Sequence, residues 1–224
     1  MKPFALPGHH EYDGQAFPLG IDVAAESLDE ACAWATGAAP ELSRLAGEHG
    51  AVLVRGLPLA KPEEFDAVVS ALGYPNFSYA NSLSNAYRIN HTPRVFSANE
   101  APADVTIFLH HEMAQTPFYP SKLIFFCQVA AEEGGATPVC RSDILWERLK
   151  AEHGMFAADC ETKGLRYNNV MPGEADTESG MGRSWQSTLS VDSRKAAEVR
   201  SVSYTHLRAH ETVLDLVCRL LLEK

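Results

Sequence analysis

Two short runs of β-branched and aromatic residues, VTIFLHHE (105–112) and KLIFFCQVA (122–130), constrain this chain more than any other feature. Each is too apolar to lie bare, too short for a helix, and bounded by turn residues. Both therefore read as buried strands, with EEGGATP as a turn after the second. The stretches before them are helical. In SLDEACAWATG, Ser27 and Glu30 form a capping box, and PELSRLAGEHG opens with Pro40 at a first helical position and stops at Gly50. AVLVRG (51–56) is a short strand, and KPEEFDAVVSALG a third helix ending at Gly73. Later come SDILWERLKAEHG, a helix closed by Gly154, and GLRYNNV, another strand. Helices cluster early and strands late, which predicts an α+β domain whose sheet is not built from alternating βαβ units.

Composition narrows the function. A chain of 224 residues with 46% hydrophobic content can bury a sizeable core. A net charge of −10 disfavours nucleic acid and anionic membranes, which reward clustered Lys and Arg, and leaves a small molecule as the expected partner. The opening MKPFALPGHHEYDG lacks a signal peptide's apolar core and no run is long enough for a bilayer, so a cytoplasmic location is expected. Five scattered cysteines without a CxxC pair suggest neither a disulfide framework nor structural zinc. Composition does not indicate the oligomeric state.

The chemistry concentrates in HHE. Roughly one His-x-Glu is expected by chance in such a chain, and GHHEYDG carries one at His9, His10 and Glu11, flanked by glycines and read as a solvated loop. The copy at 110–112 ends an apolar run. Along a strand, residues i and i+2 share a face about 6.6 Å apart, so His110 and Glu112 can both reach a cation at roughly 2 Å while His111 points away. That is two thirds of a 2-His-1-carboxylate triad. The alternative is a packed histidine and a solvated glutamate.

RVFSANEAP, FLHHEMAQTPFYPSKLIFFC and EEGGATPV, in this order, resemble the taurine dioxygenase (TauD/TfdA) and clavaminate synthase-like family of iron(II)/2-oxoglutarate-dependent oxygenases. The likeness runs from about Val52 to about Ser187. It implies a double-stranded β-helix, a jelly roll with flanking helices, here incomplete. It also implies Fe(II) held by His110 and Glu112, 2-oxoglutarate hydrogen-bonded by Thr137, and oxidation of a small-molecule C–H bond by O2 with release of succinate and CO2. Arg94, Asn99, Arg183 and Trp185 are candidate substrate contacts, weighed against an exposed Arg and a structural Trp as the plainer explanations.

The family's distal histidine and 2-oxoglutarate-clamping arginine fall on a late strand well over a hundred residues beyond the first motif. His153 comes too early. THLRAHET offers His206 and His210 at helical i, i+4 spacing, which another kind of metal enzyme would recruit. However, SVSYTHLRAHET and DLVCRLLLEK resemble a transposase-type sequencing adapter and its primer translated in one frame, with TVLD in the place of a sample index. The expectation is a partial oxygenase domain at 1–200 and a non-native tail at 201–224, with the third ligand missing. Poor solubility and weak metal binding follow. A non-catalytic jelly-roll binding module is the remaining alternative.

Overall fold

The computed structural model of the chain describes residues 1–206 apart from 80, 81, 85, 87, 99, 101, 103, 115, 117, 166–170 and 177–181. The expected strand GLRYNNV falls mostly outside these residues, as does the tail beyond 206. The chain divides into two compact units, Met1–Asn76 with Ile124–Arg141, and Phe77–Leu123 with the described residues from Ser142 onward. Among the described residues no helix is long and apolar enough to cross a membrane.

The first unit is built on a three-stranded sheet. Its central strand β4 (Leu19–Asp22) pairs antiparallel with β1 (Lys2–Phe4) and parallel with β5 (Val52–Arg55), Leu19 lying opposite Val52. A parallel pair needs a long crossover, and α1 (Leu28–His49) supplies it. The first unit therefore contains a βαβ element, against the sequence expectation. LGID is too short and too rich in glycine to register as a strand by pattern. That glycine is required, because a methyl group on Gly20 would meet Phe4 O at 2.7 Å and the Phe4 ring at 2.9 Å.

Between β1 and β4 the chain forms a hairpin of β2 (His10–Tyr12) and β3 (Gln15–Phe17), with Tyr12 opposite Gln15. Asp13 and Gly14 both take positive φ, 53° and 76°, as a two-residue primed turn demands. The first HHE copy is thus part of a hairpin rather than the expected loop; Asp-Gly was the signal for it.

Helix α1 is also longer than expected. Ser27 caps it, accepting from Glu30 N at 3.2 Å, and Glu30 Oε2 reaches back to Glu26 N at 2.9 Å. It then runs through Gly37 and Pro40 as one helix of 22 residues where the sequence suggests two. Proline costs one backbone hydrogen bond, but Ala31, Ala35 and Ala38, spaced i, i+4, i+7, anchor the helix by one buried stripe that runs up to it. Ala31 and Ala35 pack against Val68 of α2 (Pro62–Ala71), as the small side chains let the two helices approach closely. Glu64 closes the start of α2, accepting from Ala60 N at 2.7 Å and Lys61 N at 3.1 Å.

The second unit is helical where it is regular: α3 (Ser142–Glu152), α4 (Gly154–Lys163), α5 (Trp185–Leu189) and α6 (Arg194–His206). Gly154, expected to close a helix, opens one instead. His153 N donates to Leu149 O at 2.8 Å and its carbonyl accepts from Ala157 N at 3.0 Å, so one residue joins α3 to α4. Helix α6 passes through the Arg200–Ser201 junction.

The two apolar runs are not strands. Thr106–His110 and Leu123–Cys127 are irregular, with Phe108 80%, Leu109 61% and Phe125 59% exposed. A strand exists only as part of a ladder, since its N–H and C=O groups need a partner. Among the described residues no strand runs beside either segment. The described chain is therefore a mixed α and β structure with propensity for further strands but no ladder to hold them.

Candidate metal centre

After the exposed run, the chain turns sharply at His111–Ala114. Ala114 N donates to His111 O at 3.2 Å, and Met113 takes a φ of 60° although it is not glycine. Such a conformation is costly and persists only where the surroundings hold it. Here the Met113 side chain is buried, which fixes the turn and carries Glu112 back toward His110.

His110 Nε2 and Glu112 Oε2 lie 3.7 Å apart. Two ligands each about 2.1 Å from one cation, at an angle of about 90–120°, stand about 3.0–3.6 Å apart, so the pair lies within about 0.1 Å of a spacing that shares an ion. His110 Nδ1 lies 2.7 Å from Phe108 O. A carbonyl only accepts, so Nδ1 carries a proton, which leaves Nε2 as the nitrogen able to act as a metal ligand. Donation of the other ring N–H to a backbone carbonyl is the usual support of a metal-bound histidine. His111 faces elsewhere, its Nε2 2.6 Å from Ser142 Oγ at the start of α3. Thus His110 lies toward Glu112 and His111 toward Ser142, and a turn rather than a strand separates them.

Glu112, only 10% exposed against 58% for His110, is held by two residues that the sequence did not single out. Arg88 Nη2 lies 3.0 Å from Glu112 Oε1. Tyr79 hydrogen-bonds Glu112 as well, and the Arg88 guanidinium lies over the Tyr79 ring, 4.6 Å from its centroid. Burial drives the Tyr79 phenol pKa far above its ordinary value; the charge and hydrogen bond of Glu112 add to this, and Arg88 opposes it. Arg88 lies 24 residues before Glu112, and no local spacing links them.

Arg183, one of the candidate substrate contacts, makes hydrogen bonds within the protein. Its Nη1 donates to the carbonyls of Tyr79 (3.1 Å), Ser82 (3.2 Å) and Ser84 (3.3 Å), while Nε and Nη2 reach Ser187 Oγ (2.9 Å) and O (2.6 Å). It ties Tyr79, Ser82 and Ser84 to α5, and its burial lowers its pKa. Trp185 opens α5, half-buried, its N donating to Pro172 O at 3.0 Å. Arg94 sits in a tight turn, its N donating to Thr92 Oγ1 at 3.1 Å. Asn99 lies outside the described residues.

Residues 15–206 match the model of the "Taurine catabolism dioxygenase TauD, TfdA family". The chain belongs to this family. It is 40% identical over 161 residues to a clavaminate synthase-like protein of Arabidopsis thaliana, covering 72% of this chain and 48% of the relative. It is 27% identical over 161 residues to the dapdiamide synthesis protein DdaC of Enterobacter agglomerans, covering 72% and 46%. The chain spans about half the length of each of these relatives.

Within this TauD/TfdA chain, Thr137 is exposed and follows Gly134 and Gly135, both at positive φ, in an irregular stretch of the first unit. His110 and Glu112 belong to the second. Among the described residues no group of three or more His, Cys, Asp and Glu gathers to hold a metal. His206 ends α6 and His210 lies outside the described residues.

Proposed function

We propose that the chain carries two of the three metal ligands of an iron(II)/2-oxoglutarate-dependent oxygenase acting on a small molecule. The carrying observation is the 3.7 Å approach of His110 Nε2 to Glu112 Oε2 in a member of a dioxygenase family. Iron bound there would supply the O2 chemistry, 2-oxoglutarate giving succinate and CO2 while a C–H bond of the second substrate is oxidised. His110 would supply its Nε2 and Glu112 its Oε2 as ligands, while Thr137 is assigned to 2-oxoglutarate by family resemblance. The double-stranded β-helix is the fold proposed for the whole protein. The test is succinate release from 2-oxoglutarate under iron(II) and O2, in a protein extended to the length of the relatives. His110→Ala or Glu112→Ala should abolish it, and undiminished release after either overturns the reading.

We further propose that residues 201–224 are foreign to the gene and that the third ligand and the clamping arginine lie in sequence that follows Arg200. The likeness of this stretch to translated adapter supports it. An independent long read across the codons for Glu198 to Lys224 should pass into new sequence with a late His and Arg. If the same codons return from the genome, His206 and His210 become the candidates instead.

A further inference from the structure

We propose that Arg88 and Tyr79 are positioning residues for Glu112: Arg88, resting on the Tyr79 ring, holds Oε1 and leaves Oε2 as the oxygen that faces His110 and would meet a metal. This rests on the metal centre proposed above and extends it to residues with no ligand chemistry of their own.

A free glutamate has three side-chain torsions and two equivalent oxygens, and can approach a cation through either or both. Glu112 lacks that freedom. Arg88 Nη2 takes Oε1 at 3.0 Å, and Oε2 is the oxygen 3.7 Å from His110 Nε2. Arg88 is itself anchored. Its Nη1 donates to Ser97 O at 3.2 Å and to Ala98 O, where the loop closes on itself through the Asn90–Phe96 bridge. Its plane rests on Tyr79, which is buried and packed edge-on against Phe77 (5.5 Å) and Phe96 (4.9 Å). Arg183 fixes the Tyr79 backbone carbonyl. A rigid fork on a rigid ring thus sets the angle of a ligand, as outer partners of metal sites do.

A purely electrostatic role for Arg88 predicts the opposite result from a positioning role. Removing a cation beside a cation site strengthens the attraction of the site for metal. Losing the orientation of a ligand weakens binding, on the order of 10–100-fold for outer partners.

Manganese(II) is the probe, because it favours carboxylate and water and disregards the free thiols. It is titrated into the 224-residue chain, with the free ion followed by electron paramagnetic resonance and folding checked by circular dichroism. Arg88→Gln should weaken binding about tenfold or more. Arg88→Lys should not restore it, since a point charge cannot bridge the Ser97 and Ala98 carbonyls and Glu112 together. Tyr79→Phe, which keeps the Arg88–Glu112 pair, should also weaken binding and decides the matter if the Arg88 variants do not fold. Unchanged or tighter binding in the folded variants overturns the positioning role, provided His110→Ala and Glu112→Gln bind more weakly than wild type. If those two bind as well as wild type, the metal centre itself is refuted and the positioning role falls with it.

Discussion

His111 Nε2 meets Ser142 Oγ at 2.6 Å, on the first residue of α3, while the adjacent His110 turns to Glu112. One imidazole pins a helix and its neighbour faces a candidate metal. Replacing His111 by Ala should therefore lower the unfolding free energy by about 1 kcal/mol, the worth of one hydrogen bond, and leave manganese(II) binding unchanged. His110→Ala should do the reverse. Urea unfolding and the metal titration, run on both variants, check this; equal losses of metal binding contradict it.

Gly20 and Gly47 should respond oppositely to Ala. At Gly20 the added methyl meets backbone and ring of Phe4, whereas at Gly47, inside α1, it meets nothing within 4 Å. Gly20→Ala should cost about 1–3 kcal/mol by overpacking, and Gly47→Ala should stabilise by up to about 1 kcal/mol through helix propensity. Denaturant midpoints of the two variants read the contrast directly.

Acid should selectively loosen the start of α2. Glu64 has its pKa held below 4.5, chiefly by the Ala60 N–H. A carboxyl depressed in the folded state contributes stability above its unfolded pKa, and this is lost as pH falls through the folded one. Glu64→Ala should thus be less stable than wild type at neutral pH, and the gap should close as the pH drops below about 4.5. A gap that persists at low pH would show that the carboxylate charge is not its source.

Arg183→Ala removes the donor shared by three backbone carbonyls and the link to Ser187. Hydrogen bonds to a charged group are worth about 1.5–3 kcal/mol, and the midpoint of unfolding should fall accordingly. Were stability unchanged and only the KM for the organic substrate raised in the extended protein, Arg183 would be a substrate contact after all.

What the sequence disclosed and what it hid divide along physical lines. Caps and local periodicity are short-range, so Ser27, Gly50 and the β5 run were legible. Asp13-Gly14 carried an equally local hairpin signal that was passed over. By contrast, VTIFL and LIFFC have strand propensity, but a strand needs a partner that no local pattern supplies. The two ends of the candidate centre differ in the same way. His110 and Glu112 announced themselves by spacing, while Arg88 and Tyr79 reach Glu112 across 24 and more residues and depend on how the 88–98 loop closes.

The sheet of the first unit has a consequence for the order of events in synthesis. Strands β1, β4 and β5 and helices α1 and α2 all lie within Met1–Asn76, so every pairing of the sheet is made within this segment. N-terminal segments fold first as a chain emerges from the ribosome. The βαβ element can thus close before His110 has been translated, so the nascent chain gains a folded anchor independently of any metal.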